Sequence, residues 1–293
     1  MHFDPHHLAA LSAVLRHGSF DAAANALHVT PSAISQRIKA LEERVGTTLV
    51  NRTSPCTATP HGLRIAKHAE DIGLLENALT RDLQLDGDGS QRHQRIAINA
   101  DSLATWFVPA MAQVPDILFD LEIDDQDYSA DWLKRGAVSA AITTVPNIPG
   151  CDAYALGALR YVATASPDFH QRWFSSGVTP ATLAKAPNLV FDAKDGLQRD
   201  WITAQGAPRA APPCHYLPST QAFVDAAIAG IGWGMNPELL VKTALQTGTL
   251  VPINGDATWD VPLVWQVSRV LAPALTPVTQ AVLQTAQTVL VQP

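Results

Sequence analysis

Ser32, Ser35, Gln36 and Lys39 share one side of any helix drawn through residues 31–45, and Ile34, Ile38, Leu41 and Val45 share the other. Serine and glutamine can read base edges or hold phosphate oxygens, and Arg37 and Lys39 add cations for a nucleic-acid backbone. Thr30 and Pro31 open the same segment, a capping hydroxyl followed by a residue whose φ already suits a first helical turn. An ordinary solvated helix face has this composition too, so the assignment turns on the surrounding elements.

Those elements are readable. Ser19 is placed to cap a short helix with Asp21 in its first turn and Phe20, Ala23, Ala24 and Leu27 on one face. A corner at His28 and Val29 separates it from the helix that Thr30 opens and Gly46 stops. Upstream, residues 6–16 form a bracing helix through Leu8, Leu11 and Leu15, with the adjacent His6 and His7 on different sides and so unsuited to share a metal. Downstream, residues 48–52 and 57–59 read as a hairpin whose tip is a wing beside DNA, with Arg52 placed for phosphate or the minor groove. An exposed Arg52 that touches nothing is the competing reading. Two helices at a capped corner followed by a basic hairpin favour a helix-turn-helix whose second helix enters the major groove.

Thr59 and Pro60 repeat the cap-plus-proline signal, so a long helix is expected to about residue 85. Its stripe of Ile65, Ala69, Ile72, Leu75, Leu79 and Leu83 is too long for a small domain to cover, and a partner helix is the simplest cover. Residues 86–90, DGDGS, read as a hinge.

Net charge divides along the same boundary. Residues 1–69 carry seven Lys or Arg against four acids, +3, so the total of −7 leaves −10 for the remainder. A basic head on an acidic body suits nucleic-acid binding, although charge alone does not exclude chance. Cys56, Cys151 and Cys214 show no paired spacing, which argues for a reducing cytoplasm and against a disulfide framework or structural zinc. No leader or membrane-length apolar run is visible. At 293 residues the chain is expected to hold about two domains. Enzyme signatures are missing: the glycines at 230, 232 and 234 do not open a G-x-G-x-x-G helix, and no G-x-S-x-G elbow occurs.

The run AxxLHVTPSAISQRIKALEERVG at residues 24–46, followed by LVNRT and TATPHG, closely resembles the N-terminal signature of LysR-type transcriptional regulators. INADSLATWF at residues 98–107 resembles the branch that controls lysine and arginine export, the ArgP and LysG group. LxxGxxxAAITT at 133–144 and GIGWGMNPE at 230–238 carry the likeness through nearly the whole chain. The resemblance implies a winged helix-turn-helix over residues 1–59, a linker and dimerisation helix with hinge over 60–90, and an effector-binding domain over 91–293. That last domain would be a pair of α/β subdomains like periplasmic binding proteins, the first from about 91–164 and 265–293, the second from about 165–264. The implied partners are double-stranded promoter DNA, a second copy or a tetramer of the chain, and RNA polymerase. The implied effector is L-lysine or L-arginine, with no cofactor, metal or catalysis.

The residues independently support α/β architecture, with strands expected at 95–99, 117–123, 138–142, 160–165, 188–191, 215–217, 232–235 and 261–267, and a last helix over about 276–291. Strand ends then gather candidate effector contacts: Asn99, Asp101 and Ser102; Asp124; Thr143 and Thr144; Ser219 and Thr220. Ser102, or Ser219 with Thr220, would hold a carboxylate at a helix N-terminus, and Asp101, Asp124, Asp125 and Asp127 would hold an ammonium or guanidinium. A cationic amino acid needs both poles. The competing reading leaves Ser102 and Ser219 as caps and the acids as a solvated loop. The alternatives in function are a LysR-type regulator of another small metabolite and an architectural DNA-binding protein.

Overall fold

The computed structural model describes residues 2–83, 92–124, 129–134 and 136–292. The expected hinge at 86–90, and Asp125 and Asp127, lie outside the described residues.

Helix α1 (Pro5–His17) begins at Asp4, whose carboxylate accepts the His6 N–H, and α2 (Phe20–Ala26) begins at Ser19, whose hydroxyl accepts the Ala22 N–H. The corner turns through His28, which takes a positive φ of 53°. Thr30 then accepts the Ala33 N–H and opens α3 (Pro31–Val45), which ends at Gly46. Leu8, Leu11, Val14, Ile34, Ile38, Leu41 and Leu49 are buried together as the core of this head. The hairpin β1 (Val50–Asn51) and β2 (Thr57–Ala58) is shorter than expected, and Glu42 on α3 ties it down by accepting the N–H groups of Leu49 and Val50.

Helix α4 (Pro60–Asp82) starts at Thr59, whose hydroxyl accepts the Gly62 N–H and donates to the Thr48 carbonyl. Ile65, Ala69 and Ile72 pack on the head core, whereas Leu79 and Leu83 are each 58% exposed. The stripe is therefore covered at its start and open at its end.

The body runs β3 (Arg92–Ile98), α5 (Ala100–Ser102), a wide π turn (Leu103–Phe107), α6 (Val108–Met111), β4 (Ile117–Ile123), α7 (Ser129–Lys134), β5 (Ala140–Thr143) and β6 (Cys151–Ala165). It continues through α8 (Pro167–Phe174), α9 (Pro180–Leu183), β7 (Asn188–Val190), α10 (Leu197–Ala204), β8 (Cys214–Tyr216), α11 (Thr220–Ile228) and β9 (Gly234–Pro237). It closes with α12 (Glu238–Gln246), β10 (Val251–Asp256), β11 (Thr258–Ser268) and α13 (Thr276–Val289). The main sheet has the order β10-β6-β11-β5-β3-β4 with β9 also on β6, and β7 pairs with β8 separately.

Strands β6 and β11 pair antiparallel along nearly their whole length and belong to both halves. One end of the pair joins β5, β3 and β4; the other joins β9 and β10. The register shifts between Leu263 and Val264, and Gly157 opposite takes a φ of +103°. A Cβ at Gly157 would lie 2.6 Å from the Val291 carbonyl oxygen, so the chain end beyond α13 closes against the crossing. The attachments of β6 and β11 to the rest of the sheet change near this irregularity. The half of β6 before that point was not anticipated, because its alanines have little strand propensity and only pairing with β11 extends it. β10 was also missed: Pro252 and the Asn254-Gly255 pair signal a turn, and the strand survives on the sheet edge, where proline removes no ladder bond. The expected strand at 232–235 sits slightly later, at Gly234–Pro237.

Each half has its own aromatic packing on a continuous core. Phe107 meets Trp265 in one half, and Trp201 meets Trp233 at 5.1 Å between ring centres in the other.

The contact of α4 with the wing generates a test. A Cβ at Gly62 would overlap the Leu49 carbonyl oxygen, whereas one at Gly73 on the same helix meets nothing. Gly62→Ala is expected to lower stability by about 1–3 kcal/mol through overpacking. Gly73→Ala should be neutral or slightly stabilising, as expected for a helix-interior glycine. Urea midpoints of both variants, measured on the full chain, check this; equal midpoints would show that the head yields at Leu49.

Candidate functional site

The polar face of α3 stands clear of the head: Ser32, Gln36 and Lys39 are exposed, and Ser35 and Arg37 half-buried. Thr30 is committed to its cap and to a 2.9 Å hydroxyl contact with Ser32, while Pro31 sits exposed at the first helical position. Lys39 lies 3.7 Å from Glu43 one turn on, a solvent-exposed pair that a phosphate can replace at little cost. Arg52 is exposed, with its guanidinium 5.0 Å over the ring of Phe20, so the wing cation is braced on α2. Of the residues named for DNA contact, the structure thus leaves Thr30, Pro31, Ser32, Gln36, Lys39 and Arg52 exposed on the head and Ser35 and Arg37 half-buried.

In the body, a cavity of about 280 Å³ lies between the two halves. Asn99, Asp101, Asp124 and Thr220 from the sequence reading line it. Ser102, Thr143, Thr144 and Ser219 are not among its lining residues. Ser102 is fully buried within the helix that begins at Ala100, where Asn99 holds the cap position, so the helix starts earlier than the reading assumed. Thr143 is buried at the end of β5, its hydroxyl accepting the Val145 N–H, with Thr144 half-buried beside it. Ser219 caps α11 by accepting the Ala222 N–H.

Asp101 joins the halves. Its two carboxylate oxygens accept from the Tyr161 hydroxyl at 2.8 Å and the Thr220 hydroxyl at 3.0 Å. Burial pushes the Asp101 pKa up, against the two hydroxyls that favour the ionised form. Asp195 is raised for the same reason, although the N–H groups of Phe191 and Leu197 donate to it. Asp124 accepts from the Trp132 indole N–H at 2.9 Å and from the Lys194 ammonium at 3.0 Å. Asp192 folds the turn by accepting the Lys194 and Asp195 N–H groups. Gln198 and Asn236 line the cavity; their Oε1 and Oδ1 atoms are buried with no hydrogen-bond partner among the described residues, while the Asn236 amide donates to Thr164.

Tyr161, Trp132, Asp192, Lys194, Asp195, Gln198 and Asn236 were not read from the sequence. Residues 192–198 form a polar turn between a strand and a helix, the same signal that located Asp101 and Thr220. Asn236 was visible as the polar residue within the GIGWGMNP run that precedes Glu238.

A winged helix-turn-helix carried by a long helix on a two-lobed α/β body with an interlobe cavity defines a ligand-responsive DNA-binding protein. Comparison with known proteins agrees. Residues 5–63 match the bacterial regulatory helix-turn-helix protein, lysR family, and residues 87–287 match the LysR substrate binding domain. The chain belongs to the LysR family of transcriptional regulators, which makes it a regulator rather than an enzyme. It is 45% identical over 279 residues to the HTH-type transcriptional regulator LysG of Mycobacterium tuberculosis, covering 94% of this chain and 91% of the relative. The crystal structure of ArgP from Mycobacterium tuberculosis superposes with a TM-score of 0.81 at 41% identity, covering 100% of both chains. Full-length LysG from Corynebacterium glutamicum with bound effector Arg gives a TM-score of 0.66 at 32% identity, covering 99% of this chain and 100% of the other. Among the described residues no helix is long and apolar enough to cross a membrane, and no cluster of His, Cys, Asp and Glu is arranged to hold a metal.

The environment of Asp101 makes stability depend on pH. Its folded pKa lies above the ordinary value of 3.8, so the folded chain holds this proton to higher pH. The contribution to stability therefore falls as pH rises from the ordinary carboxylate range through the raised value. Tyr161→Phe removes a hydrogen bond that favours the carboxylate and moves that pKa further up. At high pH, where the carboxyl is ionised, the variant is expected to lose about 1.5–3 kcal/mol, the range for a hydrogen bond to a charged group. At low pH, where the carboxyl carries its proton, the loss should shrink. Urea unfolding at the two pH values checks this, and an equal loss at both would sink it.

Proposed function

We propose that this regulator senses a basic amino acid, L-lysine or L-arginine, in the interlobe cavity and controls the gene of an amino-acid exporter. One observation carries the reading: the described lining residues include four carboxylates, Asp101, Asp124, Asp192 and Asp195, against one cationic side chain, Lys194. Such a wall favours a cationic ligand and disfavours an anionic one, because charge in a part-buried site needs a counter-charge. Gln198 and Asn236 add amide side chains to the lining. Trp132, Tyr161, Phe191 and Phe223 supply apolar surface for an aliphatic stem. The N-terminus of α11, at Thr220, offers the opposite pole for an α-carboxylate. The names of the LysG and ArgP relatives, and the arginine effector of the Corynebacterium protein, point the same way.

The DNA contacts are proposed for Thr30, Pro31, Ser32, Ser35, Gln36, Arg37 and Lys39 on α3 and for Arg52 on the wing. Two heads reading paired half-sites need a dimer, and the open stripe at Leu75, Leu79 and Leu83 provides a face for a second α4. Tetramers would pair through the bodies, and RNA polymerase would be the downstream partner. Effector acts by preferring one arrangement of the lobes, since a ligand shifts an equilibrium only through different affinity for its states.

Gln36→Ala should erode base preference by about 1–3 kcal/mol. Lys39→Ala should weaken binding to specific and random DNA alike and flatten its salt dependence. Fluorescence anisotropy on both DNAs checks the pair; equal losses on both DNAs for Gln36→Ala would count against base readout. For the effector, titration calorimetry should show lysine or arginine binding that Asp124→Asn weakens about ten- to a hundredfold, the range for a lost charged hydrogen bond. Absence of heat with either amino acid removes the basic-amino-acid reading and leaves the family intact.

A further inference from the structure

Lys194 stands on the turn between β7 and α10, in the half of the body built on β9 and β10, and reaches across the cavity to Asp124, which follows β4 in the other half. The pair is unequal. The Asp124 side chain is 15% exposed and braced by the Trp132 indole, whereas the Lys194 side chain is 52% exposed. The carboxylate is part of the wall, and the ammonium enters from solvent on a flexible four-carbon stem.

We propose that Lys194 is a tethered counter-ion: it holds the effector's cation subsite at Asp124 and is displaced when a basic amino acid brings its own ammonium or guanidinium. This rests on the basic-amino-acid reading of the cavity and assigns a residue that sets its affinity and selectivity. Asp124 is itself only 15% exposed and shares its cavity with three other carboxyl groups, so a cation beside it stabilises its charged form. Lys194 supplies that cation in the resting protein. Its head group can withdraw into water at little cost, because half of the side chain is already solvated. A ligand with a cationic side chain replaces like with like at Asp124. A neutral side chain of the same length either leaves Lys194 in its way or displaces the ammonium without replacing its charge, and a site built for a charged partner rejects an analogue lacking it. The apparent affinity for the cationic ligand is reduced by the fraction of molecules in which Lys194 is withdrawn.

Calorimetry on the full chain at low ionic strength tests this with L-arginine, L-lysine and the uncharged arginine isostere L-citrulline. Lys194→Met should bind arginine about two- to sixfold more tightly than the native chain, the gain expected when a partly exposed ion pair no longer has to open first. Lys194→Arg, which keeps the cation, should stay near native affinity. In an Asp124→Asn background, Lys194→Met should bring no gain, since the pair it relieves is gone. Thermal midpoints confirm that each variant is folded. If the native chain binds arginine and Lys194→Met binds it equally or more weakly, the counter-ion role is overturned while the basic-amino-acid reading stands. Native binding of citrulline as tight as arginine likewise overturns the role of charge at Asp124. A native chain that binds neither arginine nor lysine sinks the proposed function, and this inference with it.

Discussion

The pairing of β6 with β11 is the constraint from which the body follows. Two strands of 15 and 11 residues run past one another through a single irregularity, and all other strands of the main sheet attach to one end of that pair or the other. A register shift at Leu263 and Val264, opposite a glycine in a conformation that L side chains rarely adopt, bends the pair where the attachments change. The two lobes therefore share covalent strands and a continuous ladder at the crossing. Away from it, the cavity lies in the gap between them, and its walls are the carboxyl ends of strands in one lobe and the turns and helix starts of the other. This is where parallel α/β sheets leave backbone donors and polar side chains unscreened by packing.

What fills that gap in the protein itself is informative about what it can receive. Each of its four carboxylates already takes hydrogen bonds: hydroxyls at Asp101, backbone N–H groups at Asp192 and Asp195, an indole and an ammonium at Asp124. The arrangements at Asp192 and Asp195 fix the fold locally, and that at Asp101 joins the lobes. The fourth differs because one donor is a half-exposed side chain from the opposite lobe. Hydrogen bonds to Asp101 run between lobes as well, but through a tyrosine and a threonine held on β6 and α11, so they act as a seam. Asp124 is thus the place in this wall where exchange of one cation for another disturbs least.

Legibility in the sequence follows how local the determining interaction is. The head could be read in detail because its signals are local. Ser19, Thr30 and Thr59 each cap the helix that follows, Pro31 and Pro60 start turns, and Gly46 ends one. Strand β4 was placed at its observed bounds because its apolar pattern is short and bounded. The alanine-rich start of β6 carries no such pattern, and it is a strand through its pairing with distant β11, from Cys151 opposite Ser268 to Gly157 opposite Leu263. In the cavity, the strand-end rule located Asn99, Asp101, Asp124 and Thr220 around one space. It could not assign partners: Asp101 read as a cation site, yet its oxygens hold Tyr161 and Thr220. Lys194 was invisible for the same reason, since a lysine in a polar turn looks solvated until the opposite lobe is in place.

The same geometry bears on how a cavity event reaches the head. Strand β3 carries Asn99 and Asp101 just beyond its carboxyl end, at the cavity wall. Farther back along the strand, Arg95 pairs with Asp120 of β4 at 2.7 Å and faces Glu70 of α4. Burial raises the Glu70 pKa while the Arg95 guanidinium opposes the rise, so the charges of the linker helix and of the body act on one another here. At its other end α4 is locked to the wing by Thr59 and by the close approach of Gly62 to Leu49. A shift of β3 against the opposite lobe therefore moves a strand whose other end bears on the helix that carries the DNA-reading head. Coupling of this kind needs two arrangements of the lobes that both sites favour differently. An exchangeable cation at Asp124, set across the gap between the lobes, provides such a difference at the cavity end.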